Sequence, residues 1–312
     1  MAHRGAWFEL QQMCSTSLRE SLKKISLVSE GPHLATHRLD KNIVYEPALN
    51  DPLQKLDLYL PLHPSATRKP LICYVHGGAW RSGDKAGGSS LGLITLLAAR
   101  FPQCAIASIN YRLSRSDNNV KHPDHNKDVT AALNYLVRRP HPEYDSNRIF
   151  LVGHSVGAYI CLSVSGLLSG YPETKSELSG AVAGLVLVDG IYGLRELVEE
   201  YPSYRDFVEG AMGLDHHPYN WNAVSPTHWQ LALKTSTMSK ILVIHSRDDT
   251  LLSTRQSQLM IDHLHQLFRG SPSIANPSIE VDFDSVKGDH DELLSSPTLA
   301  DRLLKWIKPS ST

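Results

Sequence analysis

The stretch RIFLVGHSVGAYICLSV, residues 148–164, decides the fold. Its first half is a run of apolar and β-branched residues long enough for one buried strand, and its second half suits a helix. Between them lies GHSVG, with Ser155 at the centre of a G-x-S-x-G pattern. A strand that turns directly into a helix at that pattern must hold the serine on a sharp, strained bend, hydroxyl raised above the sheet. Gly153 and Gly157 remove side chains that would collide where strand and helix pass. The Val156 amide then opens the helix, where an N–H without an intrahelical acceptor meets the positive end of the helix dipole and can face an oxyanion.

Working outward, apolar stretches alternate with segments of helical period. The strand predictions are QKLDLYL (54–60), LICYVHG (71–77), CAIASINYRL (104–113), RIFLVGHS (148–155), GLVLVDGIY (184–192), KILVIHS (240–246) and SIEVDFDSV (278–286). Helices are predicted near 86–100, 124–139, 156–169, 251–268 and 291–307. This alternation implies an α/β fold, a mainly parallel central sheet with helices on both faces. Residues 193–238 break the rhythm: they are rich in Tyr, Trp, His and Pro, carry no strand pattern, and read as a cap-like insertion over a pocket. Trp7, Leu10, Cys14, Leu18, Leu22 and Ile25 follow a helical spacing, so residues 1–40 are expected to be a helical extension of a single domain spanning 41–312.

Two further segments complete a possible site. HGGAW, residues 76–80, closes the strand LICYV. Its glycine pair can turn successive amides toward one point, as an oxyanion hole requires, which makes Gly77, Gly78 and Ala79 the candidate donors beside Val156. His76 and His154 are expected to brace their loops by side-chain hydrogen bonds; Trp80 reads equally as packing or as a pocket wall. An acid and then a histidine must follow the serine in chain order. KILVIHS runs into RDDTLL, and Asp249 is the better placed acid, with Asp248 suited to local amides and Asp189 the competitor at the end of the preceding strand. His290, in VKGDHDELL, is the single histidine beyond the last predicted strand, although Asp289 and Asp291 beside it would also suit a solvated turn or a helix cap.

Composition narrows the classes. The 312 residues carry 31 basic and 32 acidic side chains, a balance that excludes charge-driven nucleic-acid binding. The longest strongly apolar runs, 91–99 and 181–188, fall short of the ~18 to 20 residues of a membrane span. The N-terminus has neither the apolar core of a secretory signal nor the acid-poor character of a transit peptide, and the four scattered cysteines suit a reducing compartment, so a cytoplasmic location is expected. Sixteen histidines invite a metal reading, but there is no HExxH, CxxC or carboxylate loop, and neither His216 with His217 nor His263 with His265 has companion ligands. No metal and no cofactor is expected. Cys161 reads as core.

These residues resemble the α/β-hydrolase superfamily over nearly the whole chain. More narrowly, HGGAW at 76–80, GHSVGA at 153–158, GIYGLRELVEEYPSYRDF at 190–207 and HSRDDTLLSTRQ at 245–256 are similar to the kynurenine formamidase (arylformamidase) family, in its fungal-type branch. The HGGxW form of the first motif and the GIY stretch separate it from general esterases. The resemblance implies Ser155 as nucleophile, Asp249 as acid and His290 as base, hydrolysing N-formyl-L-kynurenine, a small aryl formamide of tryptophan degradation, to L-kynurenine and formate. It also leaves room for a homodimer. The sequence departs from the family at Gly193, where an acidic residue is expected after GIY. Arg81, Arg112 and Arg205 are candidates for the substrate carboxylate. Two other readings stand beside this one: a small-acyl carboxylesterase using the same triad, and a non-catalytic binding module on the same fold.

Overall fold

The computed structural model describes residues 36–46, 51–139, 141–169, 178, 180–215, 220–232, 238–270 and 277–308. In chain order the elements are β1 (His37–Val44), β2 (Lys55–Pro61), β3 (Lys69–Val75), α1 (Gly88–Arg100), β4 (Ile106–Ile109), α2 (Asp124–Arg138), β5 (Tyr144–His154), α3 (Val156–Val164), β6 (Leu168–Ser169), β7 (Val182–Val188), α4 (Leu194–Glu200), α5 (Arg205–Met212), β8 (Gln230–Leu231), β9 (Lys240–Ile244), α6 (Arg255–Arg269), β10 (Ser278–Asp282) and α7 (Pro297–Ile307). Eight strands form one sheet in the order β1-β2-β4-β3-β5-β7-β9-β10, antiparallel at β1-β2 and β2-β4 and parallel from β4 to β10.

Residues alternate between the two faces of a strand, and β3 shows how the core is divided. Leu71, Cys73 and Val75 join a cluster with Val129, Leu133 and Leu136 of α2, Ile160 of α3, and Met260 and Leu264 of α6. Ile72 and Tyr74 face the opposite way, against Leu93, Ile94 and Leu97 of α1 and Leu299, Leu303 and Trp306 of α7. Helices thus cover both faces, and the α/β prediction holds. The parallel strands end together on the side where the loops after β3, β5, β7, β9 and β10 meet, the edge at which open parallel sheets place their sites.

Several boundaries differ from the sequence reading. Residues 37–40, assigned to a helical extension, belong to β1, which pairs with β2 across a register shift between Asp40 and Ile43. That strand is largely exposed and carries no apolar alternation, so its pairing depends on β2 rather than on its own pattern. Residues 1–35 of the predicted extension lie outside the described residues. The 193–238 insertion holds α4, α5 and the two-residue strand β8, which pairs with β6 where the helix after Ser155 was expected to continue. The helix predicted for 251–268 starts at Arg255, and that for 291–307 is divided into a 3₁₀ turn, Glu292–Ser295, and α7, with Pro297 at the first helical position where its missing N–H costs nothing. Among the described residues no helix is long and apolar enough to cross a membrane.

Candidate active site

The site begins with backbone geometry. Ser155 lies between β5 and α3 at φ 55° and ψ −122°, a combination that costs a non-glycine residue free energy and persists only where its surroundings enforce it. The enforcing contacts are close: the Ser155 amide donates to the Val188 carbonyl at 2.9 Å, and a Cβ on Gly157 would stand 2.2 Å from the Val75 carbonyl oxygen. A Cβ on Gly153 would stand 2.3 Å from the Gly157 carbonyl oxygen. Both glycines are therefore required by close passage of backbone, as the sequence reading proposed. Val156 is the first residue of α3, so its amide is one of those the helix leaves without an internal acceptor.

The HGGAW turn abuts this elbow. A Cβ on Gly77 would lie 2.9 Å from both the Ser155 Cβ and the His154 Nδ1. His76 Nδ1 donates to the Gly77 carbonyl at 2.8 Å, and the Tyr111 hydroxyl donates to the His76 and Gly77 carbonyls at 3.0 and 3.3 Å. The Gly78 carbonyl accepts the amides of Arg81 and Ser82 and the Ser82 hydroxyl. In a planar trans peptide the carbonyl and the following N–H point opposite ways. Pinning the carbonyls of Gly77 and Gly78 therefore turns the amides of Gly78 and Ala79 away from those partners. Gly78, Ala79 and Trp80 all have positive φ, at 105°, 52° and 57°. Trp80 anchors this strained run: its ring is fully buried, edge-on to Tyr159 at 5.3 Å and 6.3 Å from Phe207 of α5.

Asp249 and His290 meet across two loops. His290 Nδ1 donates to Asp249 Oδ2 at 2.6 Å, while Asp249 Oδ1 accepts the amides of Leu251 and Leu252 at 2.8 Å each. Burial opposes ionisation of Asp249, but the bond and charge of His290 prevail and hold its pKa below the ordinary carboxylate value. Burial likewise disfavours the His290 cation; the bond to Asp249 and that anion's charge outweigh it and push the pKa up to about 9. His290 reaches the elbow through its neighbour: its carbonyl accepts a bond from His154 Nε2 at 2.9 Å, and the two rings lie 4.6 Å apart. The bonds found for the His290 ring and carbonyl are those to Asp249 and His154, and none joins the ring to the Ser155 hydroxyl.

Further side chains hold these loops together, among them Asp248 and Asp289, which the sequence reading assigns only to local amides or a solvated turn. Asp289 Oδ1 accepts the Thr250 amide, the Thr250 hydroxyl and the His290 amide, each at 2.8 Å, stapling the His290 loop to the Asp249 loop. Asp248 joins the same loops by accepting the Gly288 amide at 3.3 Å, and the Ser246 hydroxyl donates to the Gly288 carbonyl at 2.6 Å. At Gly193 an added Cβ would lie 2.5 Å from Glu196 Oε2, so the Glu196 carboxylate, three residues on, occupies the space of the expected acidic side chain. Gln256 clamps that turn, accepting the amides of Tyr192 and Gly193 at 2.9 Å and donating to the Gly193 carbonyl. The insertion is tied to the Asp249 loop: the Tyr204 hydroxyl donates to the Leu251 carbonyl, and the Ser253 amide donates to Tyr201. Phe207 and Tyr204 pack together at 5.1 Å, so an aromatic wall runs from Trp80 to the Asp249 loop.

Among the described residues two His and carboxylate groups fall close enough together to suggest ligands, His154 with Asp189 and His290, and Asp189 with His245 and Asp249. Their nitrogens are largely committed. His245 bonds Ser257 and the Leu252 carbonyl, His154 Nε2 bonds the His290 carbonyl, and His290 Nδ1 bonds Asp249. Cys161 is buried in α3, and burial pushes its thiol pKa well up, as for a core residue. His216 and His217 lie outside the described residues.

A mainly parallel sheet with a strained serine elbow, a glycine turn beside it and an Asp–His pair on the following loops defines an α/β-hydrolase. The BD-FAE family model matches residues 56–264. A kynurenine formamidase of Meyerozyma guilliermondii is 34% identical over 215 residues, covering 69% of this chain and 78% of that one, and a kynurenine formamidase of Eremothecium gossypii is 32% identical over 198 residues, covering 61% and 76%. The chain belongs to the kynurenine formamidase family, in its fungal-type branch. Among solved structures, a truncated carbohydrate esterase from gut microbiota superposes with a TM-score of 0.68 at 19% identity, covering 87% of this chain and 96% of that chain; it shares the fold.

Proposed function

We propose that this chain hydrolyses N-formyl-L-kynurenine to L-kynurenine and formate through a Ser155–His290–Asp249 triad. The observation that carries the reading is the 2.6 Å bond from His290 to Asp249 beside the strained Ser155 elbow, in a chain of the kynurenine formamidase family. His290 takes the Ser155 proton on Nε2 as Oγ attacks the formyl carbonyl, and Asp249 holds the ring and offsets the imidazolium charge. The negative oxygen of the tetrahedral intermediate is met by amides of the Gly77–Ala79 turn and of Val156. An aniline anion is a poor leaving group, so His290 returns its proton to the nitrogen as the C–N bond breaks, releasing L-kynurenine and leaving formyl-Ser155. Water, deprotonated by His290, then cleaves the ester to formate and restores the serine.

The acyl half of this substrate is one carbon, and the closely packed turn around Gly77 and Gly78 suits so small a group. The aromatic wall from Trp80 through Phe207 and Tyr204 suits the ring. Of the arginines considered for the substrate carboxylate, Arg112 is committed to Asp128 by a bidentate pair, with Nε–Oδ2 and Nη2–Oδ1 both at 2.8 Å. Arg81, directly after Trp80 and 5.6 Å over the Phe207 ring, pairs with the exposed Asp206 carboxylate at 3.0 Å, a solvent-facing bond that a substrate carboxylate could replace, and is the better placed of the remaining two. Small-acyl esters would be cleaved by the same triad. The test is release of formate from N-formyl-L-kynurenine by the wild-type chain and by Ser155→Ala. Turnover that survives the substitution unchanged would remove the serine mechanism, and absence of turnover by the folded wild type would remove the substrate.

A further inference from the structure

Asp189, which the mechanism above does not use, directly follows β7 in the middle of the site. The register pairs Val188 with His154 on one side and Ile244 on the other, so Asp189 stands between the nucleophile elbow and the strand leading to Asp249. Its backbone is held at φ 42°, and its amide donates to the Ile244 carbonyl at 3.0 Å. The side chain is fully buried. Its Oδ1 accepts the Ser246 amide at 2.9 Å, whereas Oδ2 has no hydrogen-bond partner. One backbone bond is something an asparagine would provide equally well, so packing alone does not explain an acid here.

The surroundings do. A carboxylate oxygen of Asp189 lies within 4.8 Å of ring nitrogens of His154 and His290, and one lies within 4.8 Å of His245 and Asp249. Asp289 and Tyr192 are the other titratable groups within its electrostatic reach, and Asp291, next to His290 in the chain, adds its charge to that of Asp189 on the ring. Burial keeps His154 and His245 neutral by pulling their pKa values down, and Asp249 is the anion of the pair. His290 is thus the one group near Asp189 that can carry a positive charge, and it gains that charge when it accepts the serine proton. Burial pushes Asp189 up to about 8, against the pull of His290, so the two ionisations are linked.

We propose that Asp189 is a second carboxyl serving His290, a positioning residue that, when ionised, stabilises beside Asp249 the imidazolium formed as His290 takes the proton of Ser155. No proton passes to Asp189: the serine proton stays on His290 until it goes to the leaving nitrogen. The inference rests on the reading of Ser155 and His290 as nucleophile and base.

The experiment measures the rate of covalent labelling by a serine-directed fluorophosphonate from pH 6 to 9, which reports activation of Ser155 without the native substrate. It compares wild type, Asp189→Asn, Asp249→Asn and the double variant. Asp189→Asn keeps the acceptor for the Ser246 amide. The expected result is a wild-type to D189N ratio near unity at pH 6 that grows to about tenfold at pH 9, the size of effect that one unit of pKa coupling gives. The double variant is expected to label about tenfold more slowly than D249N at pH 9. If D189N does not fold, the His290 ring resonance in the wild type is followed by NMR; a two-step titration supports the linkage and a single step overturns it. A wild type that never labels sinks the nucleophile and base reading and this inference with it. A wild type that labels, with D189N tracking it at every pH and no further loss in the double variant, overturns the role of Asp189 alone.

Discussion

The Asp249 carboxylate accepts from His290 on one oxygen at 2.6 Å and from the Leu251 and Leu252 amides on the other, so its orientation is fixed before substrate arrives. A carboxylate pre-aligned by backbone donors spends nothing on reorganisation when the imidazolium forms.

That relationship sets the pH profile. In the proposed mechanism His290 acts unprotonated, and its pKa of about 9 then means that kcat/KM rises with pH until that ionisation is passed. Replacing Asp249 by Asn removes the bond and the anion that raise this value. The acid limb is then expected to move to lower pH, while the maximal kcat/KM falls by on the order of 10⁴-fold. Rates measured from pH 5 to 10 for both proteins check this; an unshifted limb would mean that Asp249 does not act on His290.

Stability should carry the mark of Asp189. An acid whose folded pKa is raised from 3.8 to about 8 binds more protons in the native than in the unfolded state between those values, so its contribution falls as pH rises through that window. His290, a base raised from 6.5 to about 9, stabilises fully below pH 6.5 and loses that contribution as pH climbs through its folded value. Asp189→Asn removes the first effect outright and touches the second only where Asp189 is ionised, near and above pH 8. Its Tm relative to wild type is expected to become steadily more favourable from pH 4 to pH 8, and a difference independent of pH would show that Asp189 is ionised in the resting fold.

Gly157 tests the close passage at the elbow. With the Val75 carbonyl oxygen 2.2 Å from the position of an added Cβ, Gly157→Ala must displace α3 from β3 or distort Ser155. A loss of about 3 kcal/mol, read from urea unfolding, is expected together with a sharp fall in kcat. A variant as stable and active as wild type would contradict the backbone contact.

Trp80 separates packing from polar function. Its indole N–H has no hydrogen-bond partner while the ring packs on Tyr159 and Phe207. Trp80→Ala is expected to cost roughly 3 to 5 kcal/mol and Trp80→Phe much less, both read from denaturant midpoints. Equal losses would point to a bond made by the indole nitrogen.

The sequence made legible what is local or repeated. Ser155, Gly153 and Gly157 announce themselves by spacing, as do Gly77 and Gly78, and the turn after KILVIHS brings Asp249 to a strand end. What escaped it depends on neighbours far along the chain. The strand His37–Val44 is specified by its pairing with Lys55–Pro61 rather than by its own pattern. Glu196 fills the space above Gly193 only because α4 begins there. Asp289 reads as a surface acid until the loops at 249 and 290 are seen side by side. Asp189 was weighed as an alternative to Asp249; its place beside His290 follows from β7 lying between β5 and β9, an order that periodicity does not encode.

The proposed function requires a site built for a formamide. The most direct test is the ratio of kcat/KM for N-formyl-L-kynurenine to that for a short-chain aryl ester, measured on the same preparation at the same pH. The account predicts a ratio well above one. An ester turned over faster by orders of magnitude, with the formamide barely cleaved, would contradict it.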